Sequence, residues 1–187
     1  MTYQWQSSSN GSDWADISGA TNSTYTLTQA EVGKYVQVLA QYADAKGDNE
    51  SKASESSARI VDVNDAPAGS LTINGTATEN QTLTATHTLT DADNIGADIS
   101  GMTYQWEQAD SVSGPWQAIA SANGTAFTPG NEQVGKFLRV SVSYTDAAGY
   151  NNSQSSTATA AITNVNDAPG GAVTVTGSMA QGTVSCV

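Results

Sequence analysis

Cysteine, histidine and basic residues are scarce in this sequence, which has one cysteine, one histidine and six lysines and arginines in 187 residues. Because Cys186 has no partner, no intrachain disulfide can form, and the fold depends on packing or on packing plus a metal ion. One histidine cannot supply a catalytic base with an orienting group, so we predict that the chain is not an enzyme. His87 lies at an inward position of an alternating segment, which assigns it to the core or to one end of the domain.

Positive charge is equally scarce, since six basic residues stand against eighteen acidic ones and give a net charge of −12 at pH 7. An acidic chain of this kind is a poor partner for nucleic acid and for anionic membranes. No segment has the composition of a signal peptide, a stop-transfer helix or a lipidation site. We therefore predict no nucleic-acid binding and no membrane insertion.

A repeat of 102 residues organises what is present: the string VNDAP at residues 63–67 returns at residues 165–169. We predict an incomplete first repeat over residues 1–65 (strands C to G), a complete repeat over residues 66–167 and the beginning of a third over residues 168–187. Because both ends interrupt a repeat, we expect an internal piece of a longer chain whose export signal lies elsewhere.

Apolar and polar residues alternate in short runs, whereas no segment has the 3.6-residue period of a capped amphipathic helix. The runs at residues 83–89, 102–107 and 138–144 predict half-buried antiparallel strands. Turn clusters rich in Gly, Pro and Asn separate the runs at the spacing of a seven-stranded sandwich. The sequence therefore predicts an all-β chain.

Two aromatic residues of the complete repeat match the pattern of an immunoglobulin-type sandwich, which buries a tryptophan on strand C and carries an aromatic residue on strand F. Trp106 and Tyr144 take these places, and Trp5 and Tyr42 take them in the first repeat. We predict tandem immunoglobulin- or cadherin-like antiparallel β-sandwich repeats of about 102 residues.

Acidic residues concentrate where the first two repeats meet. The linker contains Asp62, Asn64 and Asp65, and the sandwich topology places it against the loop that contains Asp91 and Asp93. Carboxylates at this spacing repel one another unless a cation lies between them. Calcium takes about six to eight oxygen ligands in flexible geometry, so the sequence predicts a Ca²⁺ site here. Further candidate ligands on loops at the same end are Asp98 and Asp146.

The junction motifs resemble known families. Residues 62–67 resemble the Asp-x-Asn-Asp-Asn-x-Pro linker of cadherin repeats, and Glu79 with the Asp91-Ala92-Asp93 string resembles the cadherin glutamate and Asp-x-Asp motifs. The Tyr-Gln-Trp strand, residues 26–34 and the Asn-Asp-Ala-Pro linker resemble more closely the extender repeats of giant bacterial RTX-type adhesins. This second resemblance covers the whole chain.

Repeats of that adhesin family are calcium-stiffened spacers that hold a ligand-binding tip away from the cell. The resemblance implies an extracellular or bacterial cell-surface protein that serves cell adhesion or biofilm formation, with neighbouring repeats of the same chain as partners. Ala66 stands where cadherins have a second asparagine, and an Asp-Arg-Glu triplet is missing, although Glu31 lies in a loop at the same end. The number of calcium ions per junction therefore stays open.

A second junction follows the complete repeat. Glu79 precedes strand B and is expected at the exit end, where it can join Asn164, Asn166 and Asp167 of the second linker. The third repeat ends before any equivalent of Asp91, so we predict that this second metal site is incomplete.

Simpler interpretations stay open. Asp91 and Asp93 can be turn formers that bond their own backbone, and the linkers can be inert hinges. A function of another class, a glycan- or protein-binding immunoglobulin-like module, is the alternative to a spacer. Trp14 and Trp116 could form a sugar platform in such a module, but packing at a strand edge explains them as well.

The first repeat is also expected to expose part of its interior. Without strands A and B, the inner faces of Trp5, Val36, Val38 and Tyr42 are under-covered. Residues 172–177 correspond to strand A, so the tail of one molecule can be donated to the head of the next. The alternative is a partly ordered first repeat that rests on its neighbour.

Overall fold

The computed structural model describes residues 1–94, 99, 101–176, 181 and 185–186, and nearly all regular structure in them is antiparallel β-strand. The predicted all-β fold class is therefore confirmed, whereas Asp98 lies outside the described residues. In chain order the strands are β1 (Thr2–Ser8), β2 (Ala15–Asp16), β3 (Tyr35–Ala43), β4 (Asn49–Ala53), β5 (Leu71–Asn74), β6 (Leu83–His87), β7 (Thr103–Ala109), β8 (Gln117–Ala118), β9 (Ala126–Phe127), β10 (Phe137–Thr145), β11 (Asn151–Ser155), β12 (Val175–Thr176) and β13 (Ser185–Cys186).

Residues 1–53 form a four-stranded antiparallel sheet in the order β2-β1-β3-β4. Its register places Trp5 opposite Val38, so these two apolar side chains lie on the same face. The indole Nε1 of Trp5 donates to the carbonyl of Asn22 at 3.0 Å, and the Tyr25 ring lies 5.9 Å from the Trp5 ring. A short 3₁₀ helix, Gln29–Glu31, precedes β3.

The next unit is a sandwich of two sheets, one ordered β5-β6-β9 and the other β8-β7-β10-β11. Alternation along β10 directs every second side chain inward, which is why Leu138, Val140 and Val142 are almost fully buried. Trp106 of β7 is 0% exposed, and its Nε1 donates to the carbonyl of Gly124 at 3.0 Å. The buried core consists of Leu71, Leu83, Ala85, Leu89, Trp106, Ala122, Leu138, Val140, Val142 and Ile162.

Two parallel contacts connect the beginning of the sandwich to its end. Thr78 forms a parallel bridge with Thr163, and Val134 forms one with Ile162. Around the first bridge, the Glu79 N–H donates to the Thr163 carbonyl and the Thr163 N–H donates to the Ala77 carbonyl, both at 2.9 Å. The segment that precedes β6 and the segment that leads into the second linker therefore run side by side.

Two residues of interest lie at the surface of this sandwich. His87 ends β6 with an exposed side chain, so its assignment to the inward register is wrong. Its Nδ1 accepts the N–H of Leu89 at 3.3 Å, which keeps the ring at the rim where the strand ends. Trp116 is half-buried beneath the Arg139 guanidinium, which lies 4.5 Å from its ring centroid.

Candidate metal centre

The first element of the site is the turn that follows β6. A bridge between Ala68 and Thr90 ends the strand pairing, and the chain then turns so that the Asn94 N–H donates to the Asp91 carbonyl at 3.2 Å. Oδ1 of Asp91 accepts the Asp93 N–H at 3.0 Å, a bond typical of aspartate in turns. The turn-forming interpretation of Asp91 thus holds, but turn formation does not account for the burial of both carboxylates, which are 8% and 4% exposed.

The second element is the hairpin between β10 and β11, which begins with Asp146. Its Oδ1 accepts the Tyr150 N–H at 2.8 Å, and its Oδ2 accepts the Asn152 side-chain amide at 2.7 Å. These bonds hold the buried Asp146 carboxylate beside the first turn. One carboxylate oxygen from each of Asp91, Asp93 and Asp146 lies within 4.8 Å of the other two.

The third element is the linker between the two units, and three hydrogen bonds connect it to the same end of the sandwich. The Asp65 N–H donates to Oδ2 of Asp93 at 2.8 Å. The Asn64 amide donates to the Asn152 side-chain carbonyl, and the Tyr150 hydroxyl donates to the Asp62 carbonyl, both at 3.4 Å. We call the five acidic residues that meet here the junction cluster: Asp62, Asp65, Asp91, Asp93 and Asp146.

Three buried oxygens of the junction cluster have no hydrogen-bond partner among the residues that the structure describes: both carboxylate oxygens of Asp62 and Oδ1 of Asp93. A buried acceptor left without a partner costs about 1–3 kcal/mol, and more when it is charged. Such groups are rare in native proteins, and an ion that binds there is one of the few explanations. The two side chains come from different segments, the linker and the loop, so a cation between them would connect the two.

Electrostatic crowding is visible in the pKa of Asp93, which is raised above its ordinary value. The largest single influence, the hydrogen bond from the Asp65 N–H, lowers this pKa, but burial and the negative charges of Asp62, Asp65 and Asp91 together outweigh it. Without a cation, the cluster therefore favours a protonated Asp93. A bound cation would favour the ionised form instead.

Tyr144 supports the cluster from inside the sandwich. Its hydroxyl is buried and donates to Oδ2 of Asp91 at 2.5 Å. The pKa of Tyr144 is strongly raised, first by burial, then by this hydrogen bond and by the charges of Asp91, Asp146 and Asp93. The tyrosine therefore stays protonated and acts as a permanent donor that fixes one oxygen of Asp91.

The donors of the junction cluster are oxygen atoms of carboxylates, and the described part of the chain places neither thiolate nor imidazole among them. Oxygen-only sites suit magnesium, calcium and manganese, whereas zinc and copper favour nitrogen and sulfur. The triad of Asp91, Asp93 and Asp146 can therefore hold a hard divalent ion, and Asp62 adds two further oxygens at its edge.

Other predicted ligands have local partners. Oε2 of Glu31 accepts the Thr28 N–H at 2.9 Å and the Thr28 hydroxyl at 2.8 Å, which caps the 3₁₀ helix. Glu79 is 1% exposed, and its Oε2 accepts the Val165 N–H of the second linker at 3.0 Å. Metal binding by Glu31 and Glu79 stays a prediction.

The remaining residues of the second linker are exposed. Asn164 and Asn166 lie at the surface, and Asp167 accepts the Asn131 side-chain amide at 3.2 Å. A metal site at this second junction stays a prediction as well.

Sequence reasoning missed three residues that hold the junction cluster in place: Tyr144, Tyr150 and Asn152. Tyr144 was assigned to the core, and nothing in the alternation of β10 distinguishes a tyrosine that packs from one that also donates a hydrogen bond. Tyr150 and Asn152 follow Asp146 within the same hairpin. The expectation that this hairpin faces the linker was a signal that could have identified them.

Comparisons with known proteins identify little more. A family model described as a domain of unknown function, DUF8696, matches residues 1–65, about the first third of the chain. No curated protein matches the sequence. In the part of the chain that the structure describes, no helix has both the length and the apolar character needed to cross a membrane.

Proposed function

We propose that this chain is a calcium-stiffened spacer segment of a bacterial cell-surface adhesin, and that Ca²⁺ binds in the junction cluster between the two units. The observation that carries the proposal is the set of three buried, unpartnered oxygens that Asp62 contributes from the linker and Asp93 from the loop. The adhesin context rests on the sequence resemblance of the linker and the Tyr-Gln-Trp strand.

Calcium suits these donors better than magnesium. Calcium accepts bidentate carboxylates and irregular geometry, whereas magnesium requires near-ideal octahedral geometry and usually keeps several waters. Asp62 has both carboxylate oxygens free of hydrogen bonds, as a bidentate ligand would, and Asp93 and the already bonded Asp91 and Asp146 follow at close range. Four carboxylates around one divalent ion also supply more charge than the ion needs, which favours tight binding.

Stiffening follows from where the ligands lie. Without an ion, the linker contacts the sandwich through the 2.8 Å bond from Asp65 and two longer bonds of 3.4 Å. The carboxylates of Asp62 and Asp93 meanwhile repel each other across the joint. A cation converts this repulsion into attraction, so the linker direction becomes fixed relative to the sandwich. A spacer that must keep a distant tip away from a surface requires this kind of joint.

Isothermal titration and small-angle scattering test the proposal. We expect the chain to bind Ca²⁺ with a measurable heat, and we expect the mean angle between the units to become better defined, so that the scattering curve in calcium differs from that in chelator. Asp93→Asn should lose most of the affinity, and Glu132→Gln, an exposed change of the same charge, should keep it.

The outcomes that would contradict the proposal are specific. Identical scattering curves in millimolar calcium and in chelator would remove the stiffening role, even if an ion binds. Equal calcium affinity for Asp93→Asn and Glu132→Gln would place the ion elsewhere. Saturable binding of a glycan that does not depend on calcium would favour the binding-module alternative.

A further inference from the structure

We propose that two copies of this chain associate head to tail, with the β12–β13 hairpin of one copy covering the sheet of residues 1–53 in the next. The head face is the inner side of β1 and β3, formed by Trp5, Val36, Val38 and Tyr42. The tail hairpin is the pair β12 and β13. The proposal does not depend on calcium binding, because neither surface contains a residue of the junction cluster.

The head face is less covered than the matching face of the complete sandwich. Trp5 pairs with Val38 in β1 and β3 as Trp106 pairs with Val140 in β7 and β10. Trp106 and Val140 are 0% exposed, whereas Trp5 and Val38 are only half-buried.

The end of the same face shows the difference most clearly. Tyr42 of β3 occupies the place that Tyr144 occupies in β10, and it is 45% exposed where Tyr144 is 4% exposed. The head face is therefore an apolar sheet surface with aromatic residues open to solvent.

The complete sandwich shows what covers such a face. Leu71 of β5 and Leu83 and Ala85 of β6 are buried in one cluster with Trp106 and Val140. The β5–β6 pair is antiparallel, and its register places Ile73 opposite Ala85 and Asn74 opposite Thr84. A hairpin with small and β-branched residues is therefore the element that completes a sheet of this type.

The tail hairpin has the sequence and the register of that element. Val173-Thr174-Val175-Thr176 in the tail corresponds to Leu71-Thr72-Ile73-Asn74 in β5. In the tail, Val175 pairs with Cys186 and Thr176 pairs with Ser185, as Ile73 pairs with Ala85 and Asn74 with Thr84. The tail hairpin is thus a second copy of the start of the β5–β6 pair.

The tail hairpin also has an apolar side without cover. Val173 and Val175 are two residues apart on an extended segment, so they lie on the same side, and they are 79% and 59% exposed. Residues 168–187 contain no charged residue, although the whole chain has a net charge of −12. The tail can therefore approach another copy without the repulsion that separates the rest of the two chains.

We assign the tail hairpin to a second copy because the whole sandwich lies between head and tail in the chain. The contact is heterologous, since the head face of one copy meets the tail hairpin of another. Contacts of this kind extend into longer oligomers unless the geometry closes a ring. Each added copy leaves one head face and one tail hairpin free.

Analytical ultracentrifugation of the full chain under reducing conditions, with calcium and with chelator, tests the proposal. We expect the weight-average mass to rise above that of one chain as concentration increases, in both buffers. Val175→Asp in the tail and Tyr42→Asp in the head should each reduce this rise. Val112→Asp changes a valine that is 62% exposed on a loop of the sandwich, and it should leave the association unchanged.

A mixture of the two variants gives the sharpest readout. Val175→Asp keeps an intact head face and Tyr42→Asp keeps an intact tail hairpin, so a mixture should form dimers that stop growing, whereas each variant alone stays monomeric. A wild-type chain that is monomeric at every concentration would overturn the proposal. Val175→Asp association at the wild-type level, or loss of association in Val112→Asp, would overturn it as well. A mixture that stays monomeric would exclude the head-to-tail arrangement.

Discussion

Tyr144 donates its hydroxyl hydrogen to Oδ2 of Asp91 across 2.5 Å, and this bond connects the interior of the sandwich to the junction cluster. Both groups are buried, so neither has water as an alternative partner. The raised pKa of Tyr144, which burial causes first, keeps the donor hydrogen in place at any pH at which the protein is folded near neutrality. The position of Asp91 therefore depends on a residue of the core.

We expect Tyr144→Phe to lower the free energy of unfolding by about 1.5–3 kcal/mol, because it removes a hydrogen bond to a buried charged group. It should also weaken calcium binding, since one oxygen of Asp91 loses its orientation. Tyr42→Phe is the matched control at an exposed position, and it should change stability by less than about 0.5 kcal/mol. Urea unfolding measures both. Equal effects of the two substitutions would show that the Tyr144 hydroxyl does not support the cluster.

Asp93→Asn should have opposite effects on stability in the two buffers. In chelator it removes one of several repelling carboxylates and keeps an oxygen that can accept the Asp65 N–H, so the melting temperature should rise. In calcium it removes a ligand, so the melting temperature should fall below that of the wild type. Differential scanning calorimetry in both buffers checks this. A variant that is less stable in both would mean that the cluster is not under repulsion.

The metal-free protein should become more stable as the pH falls from 7 to about 5. The pKa of Asp93 is raised in the folded state, so the folded chain binds more protons than the unfolded chain between the two pKa values. The unfavourable contribution of Asp93 is complete above its folded pKa, declines as the pH falls through it, and is absent below the unfolded pKa of about 3.9.

With saturating calcium the same pH change should lower the melting temperature, because protons then compete with the ion for the carboxylates. Thermal melts at several pH values in the two buffers measure the contrast. Parallel slopes in calcium and in chelator would contradict the prediction.

The two strand-centre tryptophans should differ in their importance. Trp106→Ala is expected to cost about 3–5 kcal/mol, because the ring is fully buried and its removal leaves a cavity. Trp5→Ala should cost less, since the Trp5 ring is only half-buried, although its indole makes the same type of bond to a backbone carbonyl. Denaturant unfolding followed by circular dichroism compares them. A larger cost at Trp5 would mean that the head face is covered in solution.

Alternation was enough to predict the strands and the burial of Trp106, because a period of two residues states directly which side chains face inward. It could not predict the surroundings of His87, since the pattern continues past the point where β6 ends. The linker and the loop of Asp91 were predicted to meet from topology alone, and the bond between Asp65 and Asp93 places them together.

Hydrogen-bond partners were harder to predict than the positions of acidic residues. Glu31 is an example: its place near a linker suggested a ligand, whereas its carboxylate caps its own 3₁₀ helix through Thr28. The spacing of a capping box was present in the sequence, with Thr28 three residues before Glu31, and it indicates a local bond before a distant one.

The parallel bridge between Thr78 and Thr163 determines how the sandwich responds to tension along the chain. The two segments run in the same direction but lead to opposite ends of the unit, so a pull on the two linkers draws them past each other along their length. The bonds of Glu79, Thr163 and Ala77 are then loaded together in shear and cannot open one at a time as in an unzipping hairpin. Traction on such a chain is borne first where its entry and exit segments touch, and the hydrophobic interior experiences it only after those bonds have broken.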